Sequence, residues 1–239
     1  LAKGEEALAE AFYGSLTMGV GQFCTNPGLV FLTEESGDAF LTKLQSLTEA
    51  GAPGTMLNAG ICKAYQEATS AIGSIPGVET LARSANACGH GQGAPAVFLV
   101  SAKDFVSNHA LQAEMFGPAT LIVRGSIKEI TAAIAALEGQ LTATLHATQE
   151  ELAANPALVS ALRNCCGRLL FGGFPTGVEV CSSMVHGGPF PSTSDGRSTS
   201  VGTMAIHRFT RPAAWQNFPD TALPAELQNA NPLGIKRME

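Results

Sequence analysis

Two apolar runs constrain this chain more than any other feature. They are Ala96–Ser101, A-V-F-L-V-S, and Ala119–Arg124, A-T-L-I-V-R. Neither alternates with polar residues, so each reads as a strand covered on both faces, the pattern of a parallel sheet between helices. The surrounding sequence agrees. Leu29–Thr33, residues 141–147 and residues 167–172 read as further strands, and segments of helical spacing lie between them. Strand, helix, strand in repeated order predicts an α/β fold, a mostly parallel sheet flanked by helices and joined by right-handed crossovers.

The expected helices have identifiable ends. Residues 3–18 carry Leu8, Phe12 and Leu16 on one stripe, and residues 58–72 carry Ile61, Ala64, Ala68 and Ile72 at helical spacing. A helix opens near Gly37, points Phe40, Leu41, Leu44 and Leu47 inward, and stops at Gly51 and Pro53. Ser126 is placed to cap a helix through Leu137, and Thr148 opens one through Arg163 that Pro156 should break. Residues 88–95 read as a glycine-rich loop whose glycines fit neither nucleotide-binding spacing. From Gly172 to Gly196 the chain is rich in Gly, Pro and Ser, long enough without regular structure to suggest a functional loop. Regular structure is expected to resume over residues 199–209. The expected division is one domain over 1–215 and a polar tail over 216–239.

Composition narrows the class. Hydrophobic residues make up 45% of the 239 and charged residues 14%, with mean hydropathy +0.16, so a well-filled core is expected and disorder is not. A surface this poor in charge suggests cover by a partner or another domain. The net charge of −6 and the lack of a basic stripe argue against a nucleic-acid partner. No apolar run approaches a membrane span. Six sparse cysteines do not make a disulfide scaffold, and Cys165 and Cys166 are adjacent. The simplest reading is reduced thiols in a cytoplasmic protein. Scattered histidines and the lack of a C-x-x-C pair give no metal site.

One cysteine stands apart. Cys24 lies in M-G-V-G-Q-F-C-T-N-P-G, residues 18–28, between the first helix and the first strand. Glycines there let backbone approach a ligand closely, and free N–H groups in a turn can hold an oxyanion. The position suits a nucleophile. One reading from the residues alone is a thiol acyltransferase or hydrolase. Its base would be His90, His109, His146, His186 or His207, whichever comes within hydrogen-bond reach of the sulfur.

The words G-Q-F-C-T-N-P-G resemble the nucleophile segment of the aldehyde dehydrogenase superfamily, whose G-Q-x-C core carries the catalytic thiol. Glu114-Met115-Phe116-Gly117-Pro118 resembles the E-x-F-G-P segment of that family, in the right order downstream. Leu141-Thr142-Ala143-Thr144 and the glycine-rich region after Gly172 add to the likeness, which covers essentially the whole chain. The wording after Gly172 looks closest to the branch that includes 2,5-dioxovalerate (α-ketoglutaric semialdehyde) dehydrogenases and NADP-preferring fatty aldehyde dehydrogenases.

This resemblance implies an aldehyde dehydrogenase catalytic domain with Cys24 as nucleophile. Glu114 would hold the nicotinamide ribose of NADP or NAD, and Phe116 would pack beside the nicotinamide. It implies attack by the Cys24 thiolate on an aldehyde, an oxyanion met by the Cys24 N–H and an amide side chain, and hydride loss to NAD(P)+. Hydrolysis of the thioester by glutamate-activated water completes the reaction. Phe23, Phe174 and Pro175 are the candidate aldehyde pocket, and Arg197 is a candidate anchor for a carboxylate-bearing substrate. The expected activity is oxidation of 2,5-dioxopentanoate to 2-oxoglutarate. The alternatives are a long-chain fatty aldehyde substrate and a non-catalytic oligomerisation or interaction module. Family members form dimers or tetramers, so a homo-oligomer is expected.

The chain opens on Leu1 with helix-forming composition and no cap. In the family, the Rossmann-like cofactor domain, the oxyanion asparagine and the base glutamate lie N-terminal to the thiol. The expectation is therefore a catalytic half, inactive alone, with no base assigned to Glu5, Glu6 or Glu10.

Overall fold

In the computed structural model, residues 4–175 and 177–237 are described. The chain falls into two compact units, Leu1–Ala205 and Ile206–Glu239. Lys3, the first residue of the expected first helix, Thr176 in the Gly172–Gly196 loop and the end of the expected tail lie outside the described residues.

The first unit runs in chain order α1 (Glu5–Thr17), a 3-10 turn at Met18–Gly21, β1 (Leu29–Thr33), α2 (Asp38–Ala50), β2 (Gly54–Thr55), α3 (Ala59–Gly73), β3 (Glu79–Arg83) and β4 (Gln92–Gly93). It continues through β5 (Ala96–Ser101), α4 (Ala102–Ser107), β6 (Ala119–Gly125), α5 (Ile127–Ala135), β7 (Gln140–Leu145), α6 (Gln149–Ala154), α7 (Pro156–Cys165) and β8 (Cys166–Phe171). One four-stranded sheet has the order β1-β6-β5-β3. β1 and β5 flank β6 in parallel, in registers Leu29↔Leu121 and Ala96↔Ala119, and β3 closes the edge antiparallel to β5. β7 and β8 form a separate parallel pair, and β2 and β4 a short antiparallel one.

The two apolar runs are the middle strands β5 and β6. Phe98, Val97, Ile122 and Val123 are fully buried. Side chains on opposite faces of these strands enter different clusters. Phe98 and Leu121 join Tyr65, Ile72 and Phe105 under α3 and α4, while Val97 and Ile122 join Phe12, Leu16, Phe40 and Leu44 under α1 and α2. The alternation of every strand's side chains between faces thus builds both layers of the sandwich.

Three helix boundaries follow the local chemistry read from sequence. Ser126 caps α5 through a capping box with Glu129, Thr148 does the same for α6 with Glu151, and Pro156 opens α7 after the break at Asn155. Elsewhere tertiary packing changed the detail. On α3 the buried stripe is Cys62, Tyr65, Thr69 and Ile72, and Ala64 is exposed. Tyr65 decides this: its ring fills the core and its hydroxyl donates to the Ala94 carbonyl at 2.6 Å, a larger burial than an alanine stripe offers. On α2, Thr48 is fully buried where Leu47 is only half-buried, its hydroxyl satisfied by the Leu44 carbonyl at 2.8 Å. Strands β2, β3 and β4 and helix α4 were too short or too polar to register as periodic.

Residues 199–209 contain a 3-10 segment, Thr203–Phe209. The second unit contains a further 3-10 turn, Asp220–Ala222, and is held by an edge-on contact of Trp215 with Phe218 and by Arg237 donating to the carbonyls of Glu226 and Gln228. Among the described residues no helix is long and apolar enough to cross a membrane.

Candidate active site

The Cys24 turn is built by unusual backbone immediately after α1. Gly19, Val20 and Gly21 all have positive φ, at 55°, 58° and 66°, which reverses the chain as it leaves the helix. Gly21 has no room for a side chain: an added Cβ would fall on the Gly117 carbonyl group and the Pro118 nitrogen. Asn26 closes the same junction by donating to the Gly117 carbonyl at 3.0 Å. Gln22 ties the turn together, donating to Gly19 at 2.9 Å and accepting the Leu57 N–H at 2.8 Å. The two motifs of the sequence, G-Q-F-C and E-M-F-G-P, therefore lie backbone against backbone.

Cys24 itself is exposed and forms no disulfide among the described residues. Among the described residues no carbonyl accepts its backbone N–H, which leaves that donor free at the nucleophile. Its sulfur lies 3.3 Å from Nε2 of His186. With Nε2 unprotonated the ring accepts the S–H; with Nε2 protonated it donates to the thiolate. Both arrangements favour the nucleophilic form of sulfur.

His186 is carried on the loop after β8, and close backbone packing sets its place. A Cβ on Gly167, at the start of β8, would meet the Gly187 carbonyl, and one on Gly188 would meet the Gln140 carbonyl. The His186 N–H donates to the Thr199 hydroxyl at 2.8 Å, and its carbonyl accepts from Ser200 at 2.9 Å. Burial, and next the charge of Arg168, hold the imidazole below the usual histidine range, which favours its neutral form. Its Nδ1 is buried without a partner among the described residues. The ring thus lacks the third group that orients the base of a Cys-His hydrolase.

His146 is also held below the usual range, mainly by burial, with an interaction at the Gly173 backbone offsetting part of it. The folded protein therefore takes up protons at His146 and His186 less readily than the unfolded chain, whose histidines titrate near about 6.5. Stability from these two rings is present above that pH and is lost as pH falls through their depressed folded values. The urea midpoint should drop between pH 7.5 and 5.5, and His146→Gln with His186→Gln should flatten that drop. An unchanged slope would contradict the assignment.

Cys24 lines a cleft of about 1130 Å³, walled by β1 on one side and β7 on the other, together with Glu114, Phe116, Phe174 and Pro175. Glu114 is exposed, and its carboxylate has no hydrogen bond or ion pair among the described residues, while the intervening Met115 is buried in the core. This segment, which turns at Phe116–Pro118, therefore shows a free carboxylate and an aromatic to the cleft. Phe174 lies in the wall, edge-on to Phe12 and 5.2 Å from the His146 ring. Pro175 is buried, and its carbonyl accepts from Thr25 at 2.7 Å. Phe23 is not among the lining residues; its ring, 37% exposed, packs over Gly19. Arg197 is exposed and pairs with Asp195 at 3.4 Å. Glu5 accepts the Gly37 N–H at the start of α2, and Glu10 pairs with Lys43 at 2.7 Å.

His186 emerges from the five histidines only in three dimensions, because 162 residues separate it from Cys24. Arg168 gave no sequence signal at all.

No protein-family model matches the chain. Alpha-ketoglutaric semialdehyde dehydrogenase 2 of Azospirillum brasilense is 45% identical over 240 residues, covering 100% of this chain and 46% of the relative. Alpha-ketoglutaric semialdehyde dehydrogenase of Acinetobacter baylyi is 41% identical, covering 99% and 45%. The chain thus spans about half the length of the curated relatives it matches. Among solved structures, the Mycobacterium tuberculosis Δ-pyrroline-5-carboxylate dehydrogenase bound with NAD superposes with a TM-score of 0.70 at 17% identity, over 92% of this chain and 43% of its own. Over its full length the chain is similar to part of two alpha-ketoglutaric semialdehyde dehydrogenases, and over nearly all of it the fold is that of a solved Δ-pyrroline-5-carboxylate dehydrogenase.

Proposed function

We propose that the protein carrying this chain oxidises an aldehyde to a carboxylic acid with NAD(P)+, using Cys24 as the covalent nucleophile. The observation that carries this reading is the junction of the Cys24 turn with the Glu114–Pro118 segment through Gly21, Asn26 and Gly117, at the mouth of one cleft. Cys24 Sγ attacks the aldehyde carbon, its proton held at His186 Nε2, and the Cys24 N–H stabilises the resulting oxyanion. A nicotinamide cofactor, when bound, supplies the hydride acceptor. The free Glu114 carboxylate is suited to a pair of ribose hydroxyls, and Phe116 offers an apolar face beside the ring. Phe174 and Pro175, which line the cleft, are proposed to bound the aldehyde site, and Phe23 lies outside that lining. The proposed catalytic domain is 1–215.

The names of the two relatives support 2,5-dioxopentanoate as substrate, with a long-chain fatty aldehyde as the alternative. The ratio of kcat/KM for the two aldehydes decides between them, and a preference for the fatty aldehyde would overturn the first. Glu114→Gln is expected to raise KM for the cofactor about tenfold, the loss of roughly 1.4 kcal/mol from a charge-assisted hydrogen bond. An unchanged cofactor KM would remove Glu114 from the site.

A Cys-His hydrolase is the second reading that the 3.3 Å pair raises. The unpartnered Nδ1 disfavours it, and release of p-nitrophenol from p-nitrophenyl acetate faster than aldehyde oxidation would restore it. We also propose a homodimer or homotetramer, with residues 216–239 as an interaction arm. Exposed Phe218, Leu227, Leu233 and Ile235 support this, and a monomer in sedimentation velocity would refute it.

A further inference from the structure

Arg168 is a half-buried cation on β8 with no acidic partner among the described residues, and the mechanism above does not use it. Leaving a guanidinium partly buried without a carboxylate is unfavourable unless its donors are otherwise occupied. Here Nε is buried without a partner among the described residues, and the two Nη groups are spent on one loop. Nη2 donates to the Pro175 carbonyl at 3.3 Å and to the Gly177 carbonyl at 3.5 Å, and Nη1 reaches the Met184 sulfur at 3.3 Å. All three partners belong to the segment that leads from β8 to His186.

The Pro175 carbonyl is shared. It also accepts the Thr25 hydroxyl at 2.7 Å, and Thr25, the residue after the nucleophile, is buried. One oxygen thus joins the strand, the nucleophile turn and the start of the histidine loop, while Met184 fixes that loop two residues before His186. Gly202, which lies against the Cys181 carbonyl and the Met184 Cβ, holds it from the far side. A planar fork can hold several acceptors at once, which an ammonium cannot do with the same geometry.

We infer that Arg168 is a positioning residue for the thiol site: through Pro175, Gly177 and Met184 it fixes the loop that sets His186 on Cys24. The inference rests on the reading of Cys24 and His186 as a working pair. The charged and titratable groups that face His186 are Arg168 and Cys24.

The test is the iodoacetamide alkylation rate of Cys24, read by peptide mass spectrometry from pH 5.5 to 9, with exposed Cys88 as internal reference. His186→Gln should slow Cys24 about tenfold at pH 7 and change the shape of its pH profile. Arg168→Met should reach within about twofold of that loss, and the double variant should be no slower than His186→Gln alone, as expected for residues acting through one another. Arg168→Lys keeps the charge but not the fork, and should fall between wild type and Arg168→Met. An Arg168→Met rate at the wild-type level, or additive losses in the double variant, would overturn the Arg168 role while leaving the pair intact. If His186→Gln leaves Cys24 unchanged, the pair itself fails and the inference fails with it. Should Arg168→Met not fold, shown by a Cys88 rate that also moves, Arg168→Lys alone decides: a wild-type Cys24 rate in that variant overturns the proposal.

Discussion

Replacing Cys24 by serine is expected to lower aldehyde oxidation by the protein carrying this chain by at least about a thousandfold, the scale of losing a covalent nucleophile. The cause is local. Serine preserves the shape of the turn, and the sulfur makes no contact in the core, so thermal stability should stay within about 0.5 kcal/mol of wild type, as for exposed substitutions. What is lost is a polarisable nucleophile 3.3 Å from an imidazole. A hydroxyl is far weaker at its free pKa, and His186 has no third group to make it a stronger base. Steady-state assay and thermal melt on the same preparation check both halves, and retained turnover in the serine variant would remove Cys24 from the chemistry.

Gly21→Ala should be more damaging to structure than any change at Cys24. Its φ of +66° alone costs a non-glycine residue about 1–2 kcal/mol, and the added methyl would land on the Gly117–Pro118 peptide, which backbone must yield to accommodate. Overpacking of that kind adds about 1–3 kcal/mol, so a total near 3 kcal/mol and a Tm lower by about 10 °C are expected. The shift would part the nucleophile turn from the Glu114–Pro118 segment. Misplacement by about 1 Å costs on the order of a hundredfold in rate. A variant with wild-type Tm and kcat/KM would show that this junction does not organise the site.

Much of this was legible in the sequence because the decisive signals were local. Unbroken apolar composition marks β5 and β6 as central strands, and capping chemistry at Ser126, Thr148 and Pro156 marks helix ends. The nucleophile and E-M-F-G-P segments, both visible in the sequence, meet at one cleft. Other features depended on what the chain meets in space. Ala64 and Tyr65 have comparable claims to a helical stripe until the core has room for one ring. Continuous strand-helix alternation does not reveal that β7 and β8 pair apart from the main sheet, because pairing depends on which edges come within hydrogen-bond distance. The His186 side chain reaches the thiol turn over more than a hundred intervening residues, Arg168 reaches only the loop that carries it, and no local pattern distinguishes them from the other histidines and arginines. Arg197, chosen for its charge, pairs with Asp195 two residues away.

The claim on which the account turns is that an acyl group passes through Cys24. The protein carrying this chain should be mixed with 2,5-dioxopentanoate and NADP+, quenched in acid within one turnover, and digested for mass spectrometry. An acyl adduct on the peptide containing Cys24, absent from Cys88 and Cys181 and absent in Cys24→Ser, is the predicted result. Aldehyde oxidation that proceeds with Cys24 unmodified throughout, and undiminished in the serine variant, would contradict it.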